Sequence, residues 1–422
     1  MDFFNRIVFP RESDFKIMLV ILDGLAGIPI DGFGNQSPLE VAKTPNLDTI
    51  AARGQNGLLW PYIPFVPLGS GPAHLALLGY HPENNYVGRG PLEALGFDIP
   101  TEENDVIIRL NFATVDPGTK MVEDRRAGRI ETELSRQLFE FLNENMDHDP
   151  DEFKDILWRV YGTRGYRGCI VLKNASSWIS GSDPRGLAKV RPIEPRKEDA
   201  LSIRTAKFMN WFLEHSHELL KDHPINVERI KADLPPANHL LSRGAGMILH
   251  PQPFKERYKF KTPAFISGYP LYSGLAKFLG IEIIKPDGPE IHLKFQKAVE
   301  IFPDHDITIL HVKDPDIAGE DGDPVKKIKV IEEIDEGIGK ILDLLSEKDT
   351  LVVTADHATP AMIADHSGHP VPLAISGPYV YSDDVMNFSE RACANGSLGI
   401  FSSRYLMNLI LMVTLRLKTF GA

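Results

Sequence analysis

Leu351-Val352-Val353-Thr354-Ala355-Asp356-His357 is the stretch that decides the fold. A short apolar, β-branched run stops abruptly at Thr354, Asp356 and His357, which predicts a buried strand whose carboxyl end carries polar groups. Lys16-Ile17-Met18-Leu19-Val20-Ile21-Leu22 runs in the same way into Asp23-Gly24. Open α/β sheets place their ligands at the carboxyl ends of strands, and carboxylates with imidazoles suit Zn, Mn or Fe-type ions. An Asp-His pair alone is also explained by a hydrogen-bonded strand end. Two such ends, a third acidic cluster at Asp314-Pro315-Asp316 and an isolated Gly69-Ser70 between them favour a metal site built from distant parts of the chain.

The chain has 422 residues, enough for one large domain or two of ordinary size. A hydrophobic share of 43% and a charged share of 25% are those of a globular protein with a core of normal size. The formal net charge of −12, from 58 acidic and 46 basic residues, argues against a nucleic-acid partner. It leaves room for an anionic substrate, because metal ions and a few arginines reverse the local field. Cys169 and Cys393 are too few for a disulfide framework or a thiolate metal site and fit a reducing cytoplasm. The N-terminus is studded with charge before any sustained apolar run, so no targeting segment is expected. Leu406 to Leu417 is mostly apolar but shorter than the ~20 residues of a bilayer-spanning helix, so a packed terminal helix and no membrane partner are expected.

The first segment reads as strand, loop, helix. Pro38 to Ala52 divides at Thr44-Pro45 into two short helices, the second opened by Thr44 as cap and closed by Gly54. Pro67 to Gly79 reads as a turn followed by a helix, with Ser70 at or beside its N-cap. Two readings of Ser70 stand: a cap whose oxygen accepts a backbone N–H, or a nucleophile at a helix end that welcomes phosphate. The middle has a different texture. Asp105 to Ala113 and Gly168 to Lys173 resemble strands, Glu131 to Asn143 and Ser202 to Leu220 amphipathic helices, and arginines recur at 109, 125, 126, 129, 164, 167, 185 and 191. After about residue 262 strand–helix alternation returns. The expected organisation is a discontinuous core domain, 1–87 and 262–422, with a smaller α+β domain, 88–261, inserted in it.

The polar strand ends form one set: Asp23, Ser70, Asp316, Glu320, Asp356, His357 and His366. They suffice for two divalent ions. Two ions ~4 Å apart clamp a phosphoryl group, and an ion lowers the pKa of a bound hydroxyl until it attacks at neutral pH. A serine alkoxide then takes the phosphoryl group and later returns it, while arginines hold phosphate and carboxylate oxygens bidentately. Taken alone, Asp314 to Asp323 reads better as a solvated acidic loop, His311 can simply end a strand, and Arg125-Arg126 can be an exposed turn.

Further stretches carry a resemblance: Leu22-Asp23-Gly24-Leu25, Ala42-Lys43-Thr44-Pro45-Asn46-Leu47-Asp48, Gly69-Ser70 with Ala73-His74-Leu75, Gly88-Arg89-Gly90-Pro91-Leu92-Glu93-Ala94, Asn111-Phe112-Ala113-Thr114-Val115-Asp116, Asp124-Arg125-Arg126-Ala127-Gly128-Arg129-Ile130, Leu234-Pro235-Pro236-Ala237-Asn238 and Pro370-Val371-Pro372. With Thr354-Ala355-Asp356-His357 they make the chain resemble, over nearly its whole length, the cofactor-independent phosphoglycerate mutases of archaeal type, in the alkaline phosphatase superfamily. The resemblance implies an α/β fold with an alkaline-phosphatase-like three-layer core, a mostly parallel sheet and the inserted α+β domain. It implies an enzyme that interconverts 3-phosphoglycerate and 2-phosphoglycerate with two divalent ions, Mn2+ first and Mg2+, Co2+ or Zn2+ as alternatives, and without 2,3-bisphosphoglycerate. Asp23, Ser70, Asp356 and His357 match the ligands of one ion, with Ser70 the phosphoryl acceptor; Asp316 and His366 match ligands of the other. Arg89, Arg109, Asn111, Arg125 and Arg126 fall in stretches that resemble the substrate-binding face. The implied partner is a small phosphorylated carboxylic acid, and a homo-oligomer is compatible with the pattern.

The chain departs from that family's pattern at several places. Glu320 stands where a ligand histidine is expected, Gly71-Pro72 where an Asp-Thr pair follows the serine, and Ser273 where a lysine is expected; the segment around Ser182-Asp183-Pro184 is also altered. A carboxylate ligates divalent ions, so Glu320 is expected to preserve the site and favour a harder metal. Loss of the lysine removes a positive group from a site for a trianionic substrate. A phosphohydrolase, or a phosphomutase for another ester, is therefore the alternative function, and a non-catalytic relative the third.

Overall fold

The computed structural model describes residues 9–146 and 150–419, which fall into two compact units. The first takes in the described residues up to Tyr86 and those from His250 onward; the second is Val87–Leu249. The chain re-enters the first unit ahead of the 262 expected from composition. The cause is the short helix Phe254–Tyr258, where the Tyr258 hydroxyl donates to Leu78 O at 2.9 Å and Arg257 to Gly79 O at 2.9 Å.

The first unit is built on an eight-stranded sheet in the order Glu282–Ile284, Pro263–Ile266, Ile307–Val312, Ile17–Leu22, Thr350–Thr354, Val371–Ser376, Gln55–Trp60, Gly399–Ser402. The first five strands are mutually parallel and Val371–Ser376 runs against them. Every residue of Ile17–Leu22, Ile307–Val312 and Thr350–Thr354 is buried, as strands are when helices cover both faces of a parallel sheet. This is the α/β fold with a mostly parallel sheet that the strand-end pattern predicts. The helices Pro38–Val41 and Pro45–Arg53 divide at Thr44 as expected. Pro324–Leu344 buries Ile331, Ile334, Ile338 and Ile341 along one face, the three-and-four spacing of a helix packed on one side.

The terminal helix is shorter than its apolar run. It covers Leu406–Val413 and ends where Leu415 takes a left-handed φ of 54°, after which Leu417–Lys418 pairs with Phe9–Pro10. No helix among the described residues is long and apolar enough to cross a membrane.

The second unit is an antiparallel sheet centred on Val106–Val115, which pairs with Arg167–Leu172 on one side and His239–Met247 on the other. The helices Thr132–Asn145 and Ala200–Lys221 supply Leu138, Phe139, Leu142, Phe208, Met209 and Phe212 to its core. His239–Met247 is poorly marked in sequence because it contains glycines. Gly246 is required there: a Cβ would stand 1.7 Å from Val87 O.

Candidate active site

Three neighbouring parallel strands, Ile307–Val312, Ile17–Leu22 and Thr350–Thr354, bring their carboxyl ends together along one edge of the larger sheet. Val312 is in register with Leu22, and Thr354 with Ile21. Asp23, Lys313 and Ala355-Asp356 therefore leave the sheet side by side, at the carboxyl ends where such sheets bind ligands. Gly24 makes the turn after Asp23 with φ +64°, and a Cβ there would stand 2.6 Å from Thr359 Oγ1 and 2.7 Å from Asp316 Oδ1. Glycine is thus needed both for the left-handed backbone and for the close approach.

Ser70 opens the helix Ser70–Leu77, preceded by Gly69 as N-cap. Its side chain caps nothing: Oγ lies 3.2 Å from His357 Nε2. Pro72 sits in the first turn, where its missing N–H has no partner to lose. One turn on, His74 Nδ1 donates to Ser70 O at 2.9 Å.

Ligand atoms converge in three groups, each within 4.8 Å: Asp23 with Asp356 and His357, Asp316 with His357 and His366, and Asp23 with His74 and His311. Asp356 Oδ2 is buried without a hydrogen-bond partner. It lies 3.1 Å from His357 Nε2 and 3.2 Å from His74 Nδ1, but the His74 hydrogen is already directed to Ser70 O. His366 Nδ1 donates to Leu68 O at 2.8 Å, leaving Nε2 3.5 Å from Asp316. An orphaned buried carboxylate oxygen beside imidazole nitrogens of this kind fits a divalent cation, since such groups stay buried when paired or bound to metal.

The electrostatics are those of a tightly packed anionic cluster. Burial pushes the Asp23 carboxyl up, but Lys313, His311 and His357 together hold it well below the usual range. Burial and Asp23 act on Asp316 in the same way, and His366 and Lys313 outweigh them to lower it. Lys313 bridges the two carboxylates, 3.2 Å from Asp23 and 2.5 Å from Asp316; against burial, Asp23 keeps its ammonium well above the usual value. Burial lowers His357 despite the neighbouring Asp356 and Asp23. Burial pushes His311 down to about 4. His366 is raised to about 9 because Asp316 outweighs burial. The Tyr272 hydroxyl donates to Asp23, and burial with that negative charge raises its pKa far above the usual value.

Of the residues singled out in the sequence, Asp23, Ser70, Asp316, Asp356, His357 and His366 come together here. Glu320 ends the helix Asp314–Glu320 that also carries Asp316. Its side chain is 55% exposed, 3.8 Å from His366, and it joins none of the three groups. The arginines lie in the second unit. Arg109, 1% exposed, pairs with Glu93 at 2.8 Å and donates to Asn111 at 3.1 Å. Arg109 and Asn111 are both buried, so within the second unit they hold Glu93 and each other rather than face solvent. Arg89 holds Glu93 from its outer side at 2.8 Å, Arg125 reaches Asp183 at 2.9 Å, and Arg126 is exposed.

Sequence reasoning passed over His74, Lys313, Tyr272, Thr359, Lys327 and Arg243. The first two carried a signal: His74 is one helical turn from Ser70, and Lys313 is three residues before Asp316. Arg243, with a buried Nε that lacks a partner, stands 3.9 Å from Asp183. Its strand had no clear pattern to place it.

Comparison with known proteins gives the family. Residues 51–226 match the family model described as 2,3-bisphosphoglycerate-independent phosphoglycerate mutase. Relatives named 2,3-bisphosphoglycerate-independent phosphoglycerate mutase include one from Ignicoccus hospitalis, 39% identical over 97% of this chain and 100% of its own, and one from Methanopyrus kandleri, 38% identical over 96% and 98%. The solved structure of a cofactor-independent phosphoglycerate mutase from Thermoplasma acidophilum is 31% identical, with a TM-score of 0.65 over 95% of this chain and 100% of that one. A protein of known structure from Pyrococcus horikoshii is 32% identical, with a TM-score of 0.82 over 97% and 100%. At these identities over nearly full length, the chain belongs to the 2,3-bisphosphoglycerate-independent phosphoglycerate mutase family.

Proposed function

We propose that this chain interconverts 3-phosphoglycerate and 2-phosphoglycerate through a phosphoserine at Ser70. The observation that carries the reading is the Ser70 hydroxyl at the start of a helix, 3.2 Å from His357 Nε2 and beside the orphaned Asp356 Oδ2. Ser70 Oγ attacks phosphorus and loses its proton as the P–Oγ bond forms. The bond from phosphorus to the C3 oxygen breaks, and the departing C3 oxygen takes up the proton that Ser70 gave up. The C2 hydroxyl oxygen then attacks the phosphoserine, the P–Oγ bond breaks, and the C2 hydroxyl proton returns to Ser70 Oγ, releasing 2-phosphoglycerate. The positive helix end faces the developing phosphoryl charge.

Asp23, Ser70, Asp356 and His357 would hold one divalent ion; Asp316 and His366, with Glu320 as outer carboxylate, would hold the second. Such ions supply Lewis-acid stabilisation of the phosphoryl oxygens and a lowered pKa for the serine hydroxyl. A mixed carboxylate and imidazole set suits Mn2+ better than Mg2+, with Co2+ and Zn2+ as competitors. Lys313 supports the mutase over the hydrolase, because it supplies beside Asp23 the positive charge that Ser273 does not. Arg89, Arg125 and Arg126 are assigned to the substrate's anionic groups, with Arg109 and Asn111 bracing Arg89 through Glu93. The unpaired, buried Cys169 and Cys393 accord with a reducing cytoplasm.

The test is phosphorus NMR of the protein with Mn2+ and 3-phosphoglycerate. A 2-phosphoglycerate resonance that grows to equilibrium is expected. Inorganic phosphate alone would make the protein a hydrolase, and an unchanged spectrum would make it non-catalytic.

A further inference from the structure

Thr359 and Lys327 lie behind the proposed ion positions. Thr359 is buried, and its hydroxyl oxygen stands 2.6 Å from Asp316 Oδ1 and 3.1 Å from His357 Nδ1. A hydroxyl has one hydrogen to give, and an ionised carboxylate only accepts. With that hydrogen given to Asp316, the Thr359 oxygen can only accept from His357, so Nδ1 is the N–H of that ring. The lone pair is left on Nε2, the nitrogen that faces Ser70 Oγ at 3.2 Å and Asp356 Oδ2 at 3.1 Å. Thr359 is itself held in place. Its N–H donates to Ala26 O at 3.1 Å, and its carbonyl accepts from Lys327 Nζ at 2.8 Å. Lys327 is buried, and its ammonium also donates to Gly24 O at 2.7 Å and Ala26 O at 3.3 Å. One side chain from the long helix thus ties the loop after Asp23 to the loop after His357.

We propose that Thr359, anchored by Lys327, is a positioning residue that sets the Nδ1–H tautomer of His357 and the orientation of Asp316 through one hydroxyl, coupling the two ion positions. The coupling rests on the metal reading proposed above, in which Asp316 and His357 serve different ions; the tautomer does not. Groups in this outer position typically change metal affinity by about 10–100-fold when removed.

The experiment compares the full-length protein with Thr359→Val, which removes the hydroxyl at constant shape, and Thr359→Ser, which keeps it. Thr359→Ala serves as a second deletion of the hydroxyl should the valine not fold. Mn2+ titration by calorimetry reads both positions, and imidazole 15N NMR of the metal-free protein reads the His357 tautomer. The valine variant is expected to weaken both Mn2+ sites at least tenfold and to lose the uniform Nδ1–H signal, with serine restoring both. Unchanged Mn2+ affinities overturn the proposal, even if the variant melts earlier. Weakening at one position with the tautomer intact also overturns it. If the wild-type protein binds no Mn2+, the metal reading fails on its own, and the tautomer comparison then decides the orienting role of Thr359.

Discussion

Ser70 Oγ stands 3.2 Å from His357 Nε2, although the two residues lie at opposite ends of the chain. The serine makes no side-chain cap to its own helix, so its removal is chemically severe and structurally mild. Ser70→Ala should abolish the phosphoenzyme detected by intact-mass spectrometry and lower mutase turnover at least about a thousandfold, as loss of a serine nucleophile does. Its melting temperature should stay within a few degrees of wild type. A phosphoenzyme that persists in the alanine variant would remove Ser70 from the mechanism.

Glu320 lies at the outer edge of the proposed second ion position, 3.8 Å from His366 Nε2. Burial and the nearby Asp316 raise its pKa, as expected of a carboxyl at the rim of an anionic site. With Glu320 as outer ligand, Glu320→Gln should reduce bound Mn2+ from two equivalents towards one. Glu320→His should restore the second and shift preference towards Zn2+, since imidazole is the softer donor. Metal analysis after dialysis reads both variants. Two equivalents in Glu320→Gln would show that Asp316 and His366 hold the second ion without it.

The central strands were legible because they are short, mostly apolar runs that stop at acids and histidines, and most of the carboxylate and imidazole groups gathered at the site lie at those stops. Other features leave no such trace. Lys327 reads as one more lysine on an amphipathic helix, yet burial pushes its pKa down to about 8 as it reaches three backbone carbonyls. Arg109 reads as an exposed ligand for anions because arginines seldom lie inside a protein. Its inward turn depends on Glu93, which lies on a separate helix. His239–Met247 escaped notice because Gly244 and Gly246 break the alternation of a strand: Gly244 takes a left-handed φ of +64°, and Gly246 leaves room for the neighbouring Val87 backbone.

Arg109 and Arg126 should therefore respond differently to mutation. Arg109→Met leaves the buried Glu93 with Arg89 alone, and removing one partner of a buried ion pair costs about 3 kcal/mol or more. Arg126 is exposed, so Arg126→Gln should change stability by less than about 0.5 kcal/mol while raising KM for 3-phosphoglycerate. Denaturant melts alongside steady-state kinetics distinguish the two. An Arg109→Met protein of wild-type stability would contradict the bracing role.

His239 gives the second unit a defined sensitivity to acid. Its ring is buried in the sheet, Nδ1 donates to Leu240 O at 2.8 Å, and the His217 ring centroid is 5.4 Å away. Burial, with His217 and Lys120 adding to it against Glu214, pushes its pKa down to about 4. In the unfolded chain a histidine titrates near ~6.5. Between these values the unfolded chain binds a proton that the folded unit does not, so stability rises with pH across this window and falls as pH drops from about 6.5 to about 4. At about 1.4 kcal/mol per pH unit the full loss approaches about 3 kcal/mol. His239→Gln should flatten that slope, whatever it does to stability at pH 7. Urea unfolding followed by tryptophan fluorescence suits the measurement, since Trp158, Trp178 and Trp211 all lie in the second unit. The difference in unfolding free energy between pH 7 and pH 4.5 should be smaller in the variant by about 2 kcal/mol. Equal differences in the two proteins would show that another group carries the acid response.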